Sequence, residues 1–192
     1  MGDLAAIDLL CNRHDAGEVD GRAFLAGLPA LVAQAIGCSR AGVRVAVETP
    51  AGRVLRAVTM HQRSVGRLVE VPDLAGDGVE PYLESLARQG GVIAPDVNSH
   101  PRVLRLLRGY AESQQLRSLM DAGISIDGML YGALSCEQLG SPQQWSPRQL
   151  HLLRRVALRA SPALVRLVAD QVTAPGRLWD MPGPGRRLPL NS

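Results

Sequence analysis

The chain of 192 residues has the length of one ordinary domain, and its net charge is only +3. Hydrophobic residues make up 46% of it and aromatic residues 3%, so its core must be aliphatic. All 21 basic residues are Arg, but a net charge this small does not indicate binding to nucleic acid. No apolar run approaches the roughly 18 residues of a membrane span. Because the N-terminus also lacks the basic region of a signal peptide, we expect a cytoplasmic protein with neither membrane nor nucleic-acid partners.

The chain is predicted to begin with two helices. Residues 3–13 have the apolar spacing of a short amphipathic helix. After a polar connector, residues 22–36 form a second helix, with Asp20 as its N-cap and Gly37 as its stop. Pro29 inside this helix should kink or interrupt it, because proline cannot donate the backbone hydrogen bond.

The rest of the chain alternates strand and helix patterns. A last helix opens with Ser146 as N-cap and runs to about 172, with a kink or interruption at Pro162. Residues 173–192 are rich in Pro, Gly and Arg and are predicted to be disordered or loosely docked. The order implies an α+β domain on a mainly antiparallel sheet. Between the second and last helices the predicted elements are strands over 43–49 and 53–61, turns over 62–78, a helix over 79–88, a strand within 91–96, a helix from about 98, and two strands joined by Asp127-Gly128.

The Asp127-Gly128 pair between two apolar-rich runs is a strong hairpin signal, because both central residues of a type I′ turn need φ > 0. A two-residue turn would place Gly123 opposite Gly132 and leave a shallow hollow on one face of the hairpin. Asp121 would stand beside that hollow.

A carboxylate buried at Asp121 needs a cation or several hydrogen-bond donors. Arg117, Arg102 or an amine of a ligand could supply them. In the alternative interpretation, a helix packs over the two glycines and Asp121 pairs with an internal Arg.

This arrangement resembles a GAF domain, a small-molecule sensor module of signalling proteins, over about residues 22–168. The resemblance implies a central antiparallel sheet of about six strands flanked by helices. It places a pocket on one face of the sheet and the N- and C-terminal helices on the other, where such helices commonly form a dimer bundle. The matching segments are LVAQAIGCSRAGVRVAV, VIAPDVNSHPR, SLMDAGISIDGMLYGALSCEQ and the Trp-Ser-Pro before the last helix.

Two features depart from the family pattern. Family members often carry Pro where Gly123 stands. No output domain follows residue 172, so the protein either works alone through a separate signalling partner or is a piece of a longer chain; the first is our expectation. The domain organisation we expect is a helical extension over 1–20, the GAF domain over 21–172 and the tail over 173–192.

Five residues are candidate ligand contacts near the pocket that the resemblance implies. Asp96 can cap the next helix, whose N-terminal amides could bind an anion, and His100 lies beside that cap. Capping for Asp96 and a surface position for His100 are the alternative roles. Tyr82 and Arg117 are chosen because their elements border the family pocket, and Asp121 comes from the hairpin argument.

The function that we expect is non-catalytic binding of a small cytoplasmic metabolite or anion, with signalling through the terminal helices of a homodimer. One alternative is a protein-interaction or dimerisation scaffold that binds no ligand. Another is a thiol-based methionine sulfoxide reductase, which needs clustered cysteines. Cys11, Cys38 and Cys136 lie far apart in the sequence, which argues against that enzyme and favours free, buried thiols.

We expect no cofactor and no metal site. His61 is a single histidine without a recognised haem motif, and nothing in the sequence supports tetrapyrrole attachment through a cysteine. The sequence therefore argues against haem or a bilin. No C-x-x-C or H-E-x-x-H spacing indicates zinc, and no catalytic triad, phosphate-binding loop or dinucleotide fingerprint is present.

Overall fold

A six-stranded antiparallel sheet with helices on both faces forms the centre of the computed structural model, which describes residues 2–173. The strands lie in the order β3-β2-β1-β6-β5-β4. This architecture confirms the predicted fold class, and it adds a short edge strand within the predicted turns. The helices are α1 (Gly2–Asp15), α2 (Gly21–Ile36), α3 (Val79–Gln89), α4 (Pro101–Leu106), α5 (Tyr110–Ser113) and α6 (Pro147–Thr173), and the strands are β1 (Arg40–Thr49), β2 (Gly52–Gln62), β3 (Arg67–Leu68), β4 (Gly91–Ala94), β5 (Leu116–Ile126) and β6 (Met129–Leu139).

The two faces of the sheet carry separate apolar clusters. We call the side covered by α1, α2 and α6 the terminal-helix face, and the side covered by α3, α4 and α5 the α3 face. Side chains alternate between the faces along each strand, so β1 sends Val43 to the terminal-helix face and Arg44 to the α3 face. The predicted tail over 173–192 lies outside the described residues except for Thr173. Among the described helices, none has the length and apolar character to cross a membrane.

Helix α2 runs through Pro29 without the predicted interruption. Proline has no N–H, so the carbonyl of Leu25 loses its usual partner within the helix. The Thr59 hydroxyl of β2 donates a hydrogen bond to that carbonyl at 3.0 Å, and both groups are buried. A contact between β2 and α2 thus satisfies the carbonyl that proline leaves without a donor, and the local sequence does not reveal this contact. The predicted N-cap and stop are confirmed: Asp20 accepts from the Ala23 N–H at 2.7 Å, and Gly37 has φ 78°.

Replacing Thr59 by Val should lower the free energy of unfolding by about 1–3 kcal/mol, because it leaves the Leu25 carbonyl buried without a donor. The same replacement should cost less in a Pro29→Ala background, where the new N–H at 29 can bond to Leu25. Urea denaturation of the four proteins of this double-mutant cycle measures the difference. Equal losses in both backgrounds would show that the hydroxyl is not the substitute donor.

Helix α6 likewise continues through Pro162, against the prediction of an interruption. The preceding residue, Ser161, donates its hydroxyl to the Ala157 carbonyl at 2.7 Å and accepts the N–H of Ser125 at 3.2 Å. The hydrogen bond between Ser125 and Ser161 connects α6 to β5 at the point where the pairing of β5 with β6 shifts by one residue.

The β5–β6 hairpin has the predicted turn but not the predicted register. Asp127 and Gly128 have φ of 51° and 78°, as a type I′ turn requires. A β-bulge then shifts the pairing, so that Gly123 stands opposite Ala133. The predicted hollow between Gly123 and Gly132 is therefore wrong. Gly132 serves close packing on β1 instead, since a Cβ there would lie 2.0 Å from the Arg44 carbonyl oxygen.

Candidate functional site

A cluster of polar side chains lies buried on the α3 face, where a purely apolar core would be expected. We call it the buried polar cluster; each member is 6% exposed or less. Charged residues are almost never buried so completely unless they are paired. The cluster comes mainly from alternate positions of β1, β5 and β6, with two tyrosines contributed by the covering helices. Its members are Arg40, Arg44, Tyr82, Tyr110, Asp121, Ser135 and Glu137.

Glu137 is the anionic centre of the cluster. The Arg40 Nε donates to its Oε2 at 2.7 Å, and the Tyr110 hydroxyl donates to its Oε1 at 3.0 Å. Arg44 Nη2 lies 3.4 Å from the same Oε1 and 2.7 Å from the Tyr110 hydroxyl. Burial alone would raise the pKa of Glu137, but Arg40 and Arg44 outweigh it and hold the pKa below its usual value. Glu137 is therefore ionised at neutral pH.

Further contacts of the two arginines fix the segments that cover the α3 face. Arg44 Nη1 donates to the Pro72 carbonyl at 3.1 Å, and its guanidinium carbon lies 5.0 Å from the centre of the Tyr110 ring. Arg40 Nη1 donates to the side-chain oxygen of Gln114 at 3.1 Å. These contacts connect β1 to α5 and to the segment after β3.

Asp121 is the second buried carboxyl group, and its hydrogen bonding is incomplete. The Tyr82 hydroxyl donates to its Oδ2. Its Oδ1 has no hydrogen-bond partner among the described residues, and neither has the hydroxyl of Ser135, which stands opposite Asp121 in the β5–β6 pairing. Burial raises the pKa of Asp121 to about 7, although the neighbouring hydroxyls of Tyr82 and Ser135 oppose the shift. Near neutral pH this group can therefore either donate or accept a proton.

Helix α3 closes the site above Asp121. A Cβ on Gly123 would lie 3.0 Å from Leu130 Cδ1 and 3.8 Å from Leu86 Cγ, so α3 passes close over this glycine. The expected partners of Asp121 lie elsewhere: Arg102 donates to Ser85 at 3.3 Å, and Arg117 faces Asp96. The alternative of a helix packed over the glycines is thus correct for Gly123, but the partner of Asp121 is a tyrosine and not an Arg.

The other predicted contacts lie around the start of α4. Asp96 Oδ1 accepts from the Asn98 N–H at 3.0 Å and caps a 3₁₀ turn over Val97–Ser99. His100 Nδ1 accepts from the Val103 N–H at 3.3 Å and is the N-cap of α4. Gly109, with φ 77°, separates α4 from α5, so the single helix predicted here is two short ones.

Arg117 is partly exposed and pairs loosely with Asp96 at 3.9 Å. It borders a surface cavity of about 360 Å³, and its Nε is buried without a partner among the described residues. The structure thus brings Tyr82 together with Asp121, and Asp96 together with Arg117, and it gives His100 a capping role. Arg40, Arg44, Tyr110 and Ser135 were not predicted. An Arg spaced among inward-facing strand residues is the one signal that could have indicated Arg44.

All three cysteines lie in the apolar cluster of the terminal-helix face. Burial, together with the neighbouring Cys38 thiol, raises the pKa of Cys136 well above its usual value, and burial also raises the pKa of Cys11. A reactive cysteine needs the opposite shift toward the thiolate. Within the described residues, no group of three or more His, Cys, Asp or Glu side chains could hold a metal ion.

The sheet order and the helices on its two faces define an α+β domain with one central antiparallel sheet. A family model described as GAF domain matches residues 20–164, and the chain belongs to the GAF domain family. A comparison with curated protein sequences found no match.

Solved structures similar to this chain include GAF domains of photoreceptors. The phycocyanobilin-bound GAF domain of a cyanobacterial phytochrome is 14% identical, with a TM-score of 0.65 over 88% of this chain and 97% of that one. The blue-light absorbing form of the PixJ GAF domain from Thermosynechococcus elongatus is 22% identical, with a TM-score of 0.55 over 80% and 90%. A far-red absorbing protein with bound biliverdin is 16% identical, with a TM-score of 0.59 over 84% and 98%. At these identities the likeness shows the fold.

These comparisons contradict the sequence-based argument against a bilin, because the structures that the chain resembles include bilin-bound domains. The residues of this chain do not fit one mode of holding such a group, the thioether bond to a cysteine at the pocket. Its three thiols are buried on the terminal-helix face, and the α3 face presents tyrosine, carboxyl, hydroxyl and guanidinium groups instead.

Proposed function

We propose that this chain is a non-catalytic sensory domain over residues 21–172 that binds a small ligand beneath α3 and acts in the cytoplasm. One observation carries the proposal: Asp121 Oδ1 and the Ser135 hydroxyl are buried next to each other on the α3 face, and no other described residue hydrogen-bonds to either atom. Buried polar groups are nearly always satisfied, so unsatisfied ones at one place indicate a missing partner. The terminal helices cover the opposite face of the sheet.

The chemistry of this site favours a ligand that carries N–H donors. Tyr82 already occupies one oxygen of Asp121, and the other oxygen is free to accept from an amine or an amide. Ser135 can accept or donate beside it. An anion at this position would face a carboxyl group that ionises near pH 7, which disfavours it. A small metabolite with a protonated or amide nitrogen therefore fits best.

Binding at Asp121 has a short route to the terminal helices. Asp121 lies on β5, and its neighbours Met120 and Ala122 point to the opposite face, into the apolar cluster that contains α6. Because α3 covers the site, a ligand must displace Tyr82 or shift α3 to enter. We propose that this shift changes the packing of β5 against α6 and that a separate signalling protein reads the terminal helices.

The test is native mass spectrometry of protein purified from its host, combined with a thermal-shift screen of nucleotides, amino acids, inorganic anions, haem, biliverdin and phycocyanobilin. At a concentration of 100 Kd a ligand adds about 2.7 kcal/mol, which corresponds to a rise in Tm of roughly 5–10 °C for a chain of this size. We expect Asp121→Asn to abolish the rise and Glu112→Gln, on an exposed residue, to leave it unchanged. A rise that survives Asp121→Asn would place the ligand elsewhere.

The scaffold alternative is favoured by the exposure of two leucines on the terminal helices. Leu9 of α1 is 58% exposed and Leu158 of α6 is 74% exposed. An interface between two copies of the terminal helices would bury such side chains. A dimer in the native mass spectrum that no compound stabilises would support a homodimeric scaffold and contradict ligand sensing.

A further inference from the structure

A groove opens on the α3 face at the end of the sheet that carries the β5–β6 turn. Its volume is about 410 Å³, and it lies between α3 and the tips of the β1–β2 and β5–β6 hairpins. Its apolar side chains include Leu83 and Ala87 of α3 and Met129, Leu130 and Tyr131 of β6. Met129 is 62% exposed, although a large apolar side chain is usually buried. The groove therefore offers an apolar floor to an occupant.

The rim of the groove is acidic. Glu48, Glu80 and Glu84 line it, and one guanidinium, that of Arg53, opposes them. Arg53 is bonded to Glu48 at 2.6 Å and to Glu80 at 3.3 Å, whereas Glu84 makes no ion pair with a described residue. Three carboxylates against one cation favour an occupant that is both basic and apolar.

The chain leaves α6 at this same end of the sheet. Ser161 is bonded to Ser125, which stands just before the β5–β6 turn, and from there α6 continues to Thr173 for about 18 Å, at 1.5 Å per residue. Leu167 lies against Gly21 at the start of α2, where a Cβ would be 2.2 Å from Leu167 Cδ2. An extended chain spans about 3.3–3.6 Å per residue, so the chain beyond Thr173 reaches about 14 Å at residue 177 and about 35 Å at residue 183.

The sequence beyond Thr173 has the composition that the groove requires. Arg177-Leu178-Trp179 and Arg186-Arg187-Leu188 place guanidinium groups beside large apolar side chains, with one acidic residue, Asp180, between them. We propose that segment 177–190 of this chain docks into the groove, with its apolar side chains on the floor and its arginines against the acidic rim. The occupant would then cover α3, the helix that closes the site at Asp121.

Photo-cross-linking of the full chain tests this proposal. Met129 is replaced by p-benzoylphenylalanine, and equal amounts of isotopically light and heavy protein are mixed before irradiation. We expect cross-linked peptides that contain residues 177–190 and that are isotopically unmixed. Mixed peptides would assign the occupant to a second copy, and cross-links to any other segment, or none, would equally overturn the proposal. The same group at Leu104, which is 42% exposed on α4, is the matched control and should give few cross-links to the tail.

Charge reversal separates docking from random encounter. Glu84→Arg should lower the yield of tail cross-links about threefold to fivefold, because it replaces an attraction to the arginines by a repulsion. Glu112→Arg, on an exposed residue away from the groove, should leave the yield unchanged. Equal yields in the two variants would overturn the acidic rim as the docking determinant.

Discussion

Replacing Glu137 by Gln should lower the free energy of unfolding by about 3–5 kcal/mol, because it leaves two buried arginines without their counter-charge. Arg40 and Arg44 are each 2% exposed and cannot recover the loss by turning to water. Domains have a total stability of about 5–15 kcal/mol, so this change alone removes a large part of it. Because the pKa of Glu137 is lowered in the folded state, its contribution is present above the unfolded pKa and is lost as the pH falls through the folded pKa.

Urea denaturation at pH 7 measures this loss, with Glu112→Gln as an exposed control of the same chemistry. A second variant, Arg40→Met combined with Glu137→Gln, removes one of the orphaned charges and should recover part of the stability. Replacing a buried ion pair by apolar groups of similar volume is often nearly neutral. A loss below about 1 kcal/mol for Glu137→Gln would place the interaction in the range of exposed ion pairs and contradict its burial.

The predictions that were confirmed rest on interactions between near neighbours in sequence. Asp20 caps α2 three residues away, Ser146 caps α6 in the same manner, and Gly37 ends α2 with the left-handed conformation that glycine permits. Asp127-Gly128 forms its tight turn for the same reason. These local interactions, together with the apolar pattern, were sufficient to predict the α+β fold class.

The errors fall where a distant residue decides the local structure. The bulge that moves Gly123 away from Gly132 is fastened by Ser161, which lies 36 residues from Ser125. Arg44 finds its partner in Tyr110, 66 residues away. Neither spacing follows from a periodic pattern. The sequence could therefore indicate that Asp121 is buried, but it could not indicate that Tyr82 binds it.

The ionisation of Asp121 should lower the stability of the fold as the pH rises, which is the opposite of the pH dependence expected from Glu137. The pKa of Asp121 rises from 3.8 to about 7 on folding, so between these values the folded state holds more protons than the unfolded state. The free energy of unfolding must therefore fall as the pH rises through this interval. A shift of roughly three pKa units, at about 1.4 kcal/mol each, corresponds to about 4 kcal/mol. Asp121→Asn removes the titration and should be more stable than the parent at pH 8, with little difference at pH 5.

Urea denaturation at intervals between pH 5 and 8 measures both profiles, and parallel profiles would contradict the buried, proton-binding state of Asp121. The Glu137 contribution is constant over this interval, because its pKa lies below its usual value of 4.5. The ionisation of Asp121 should also make the affinity for a cationic ligand depend on pH. A cationic nitrogen that binds Asp121 must favour the ionised carboxyl group, so it should bind more tightly as the pH rises through about 7. The bound ligand would also reduce the loss of stability that occurs as the pH rises through about 7. In the Asp121→Asn variant, both the pH-dependent binding and this stabilisation should be absent.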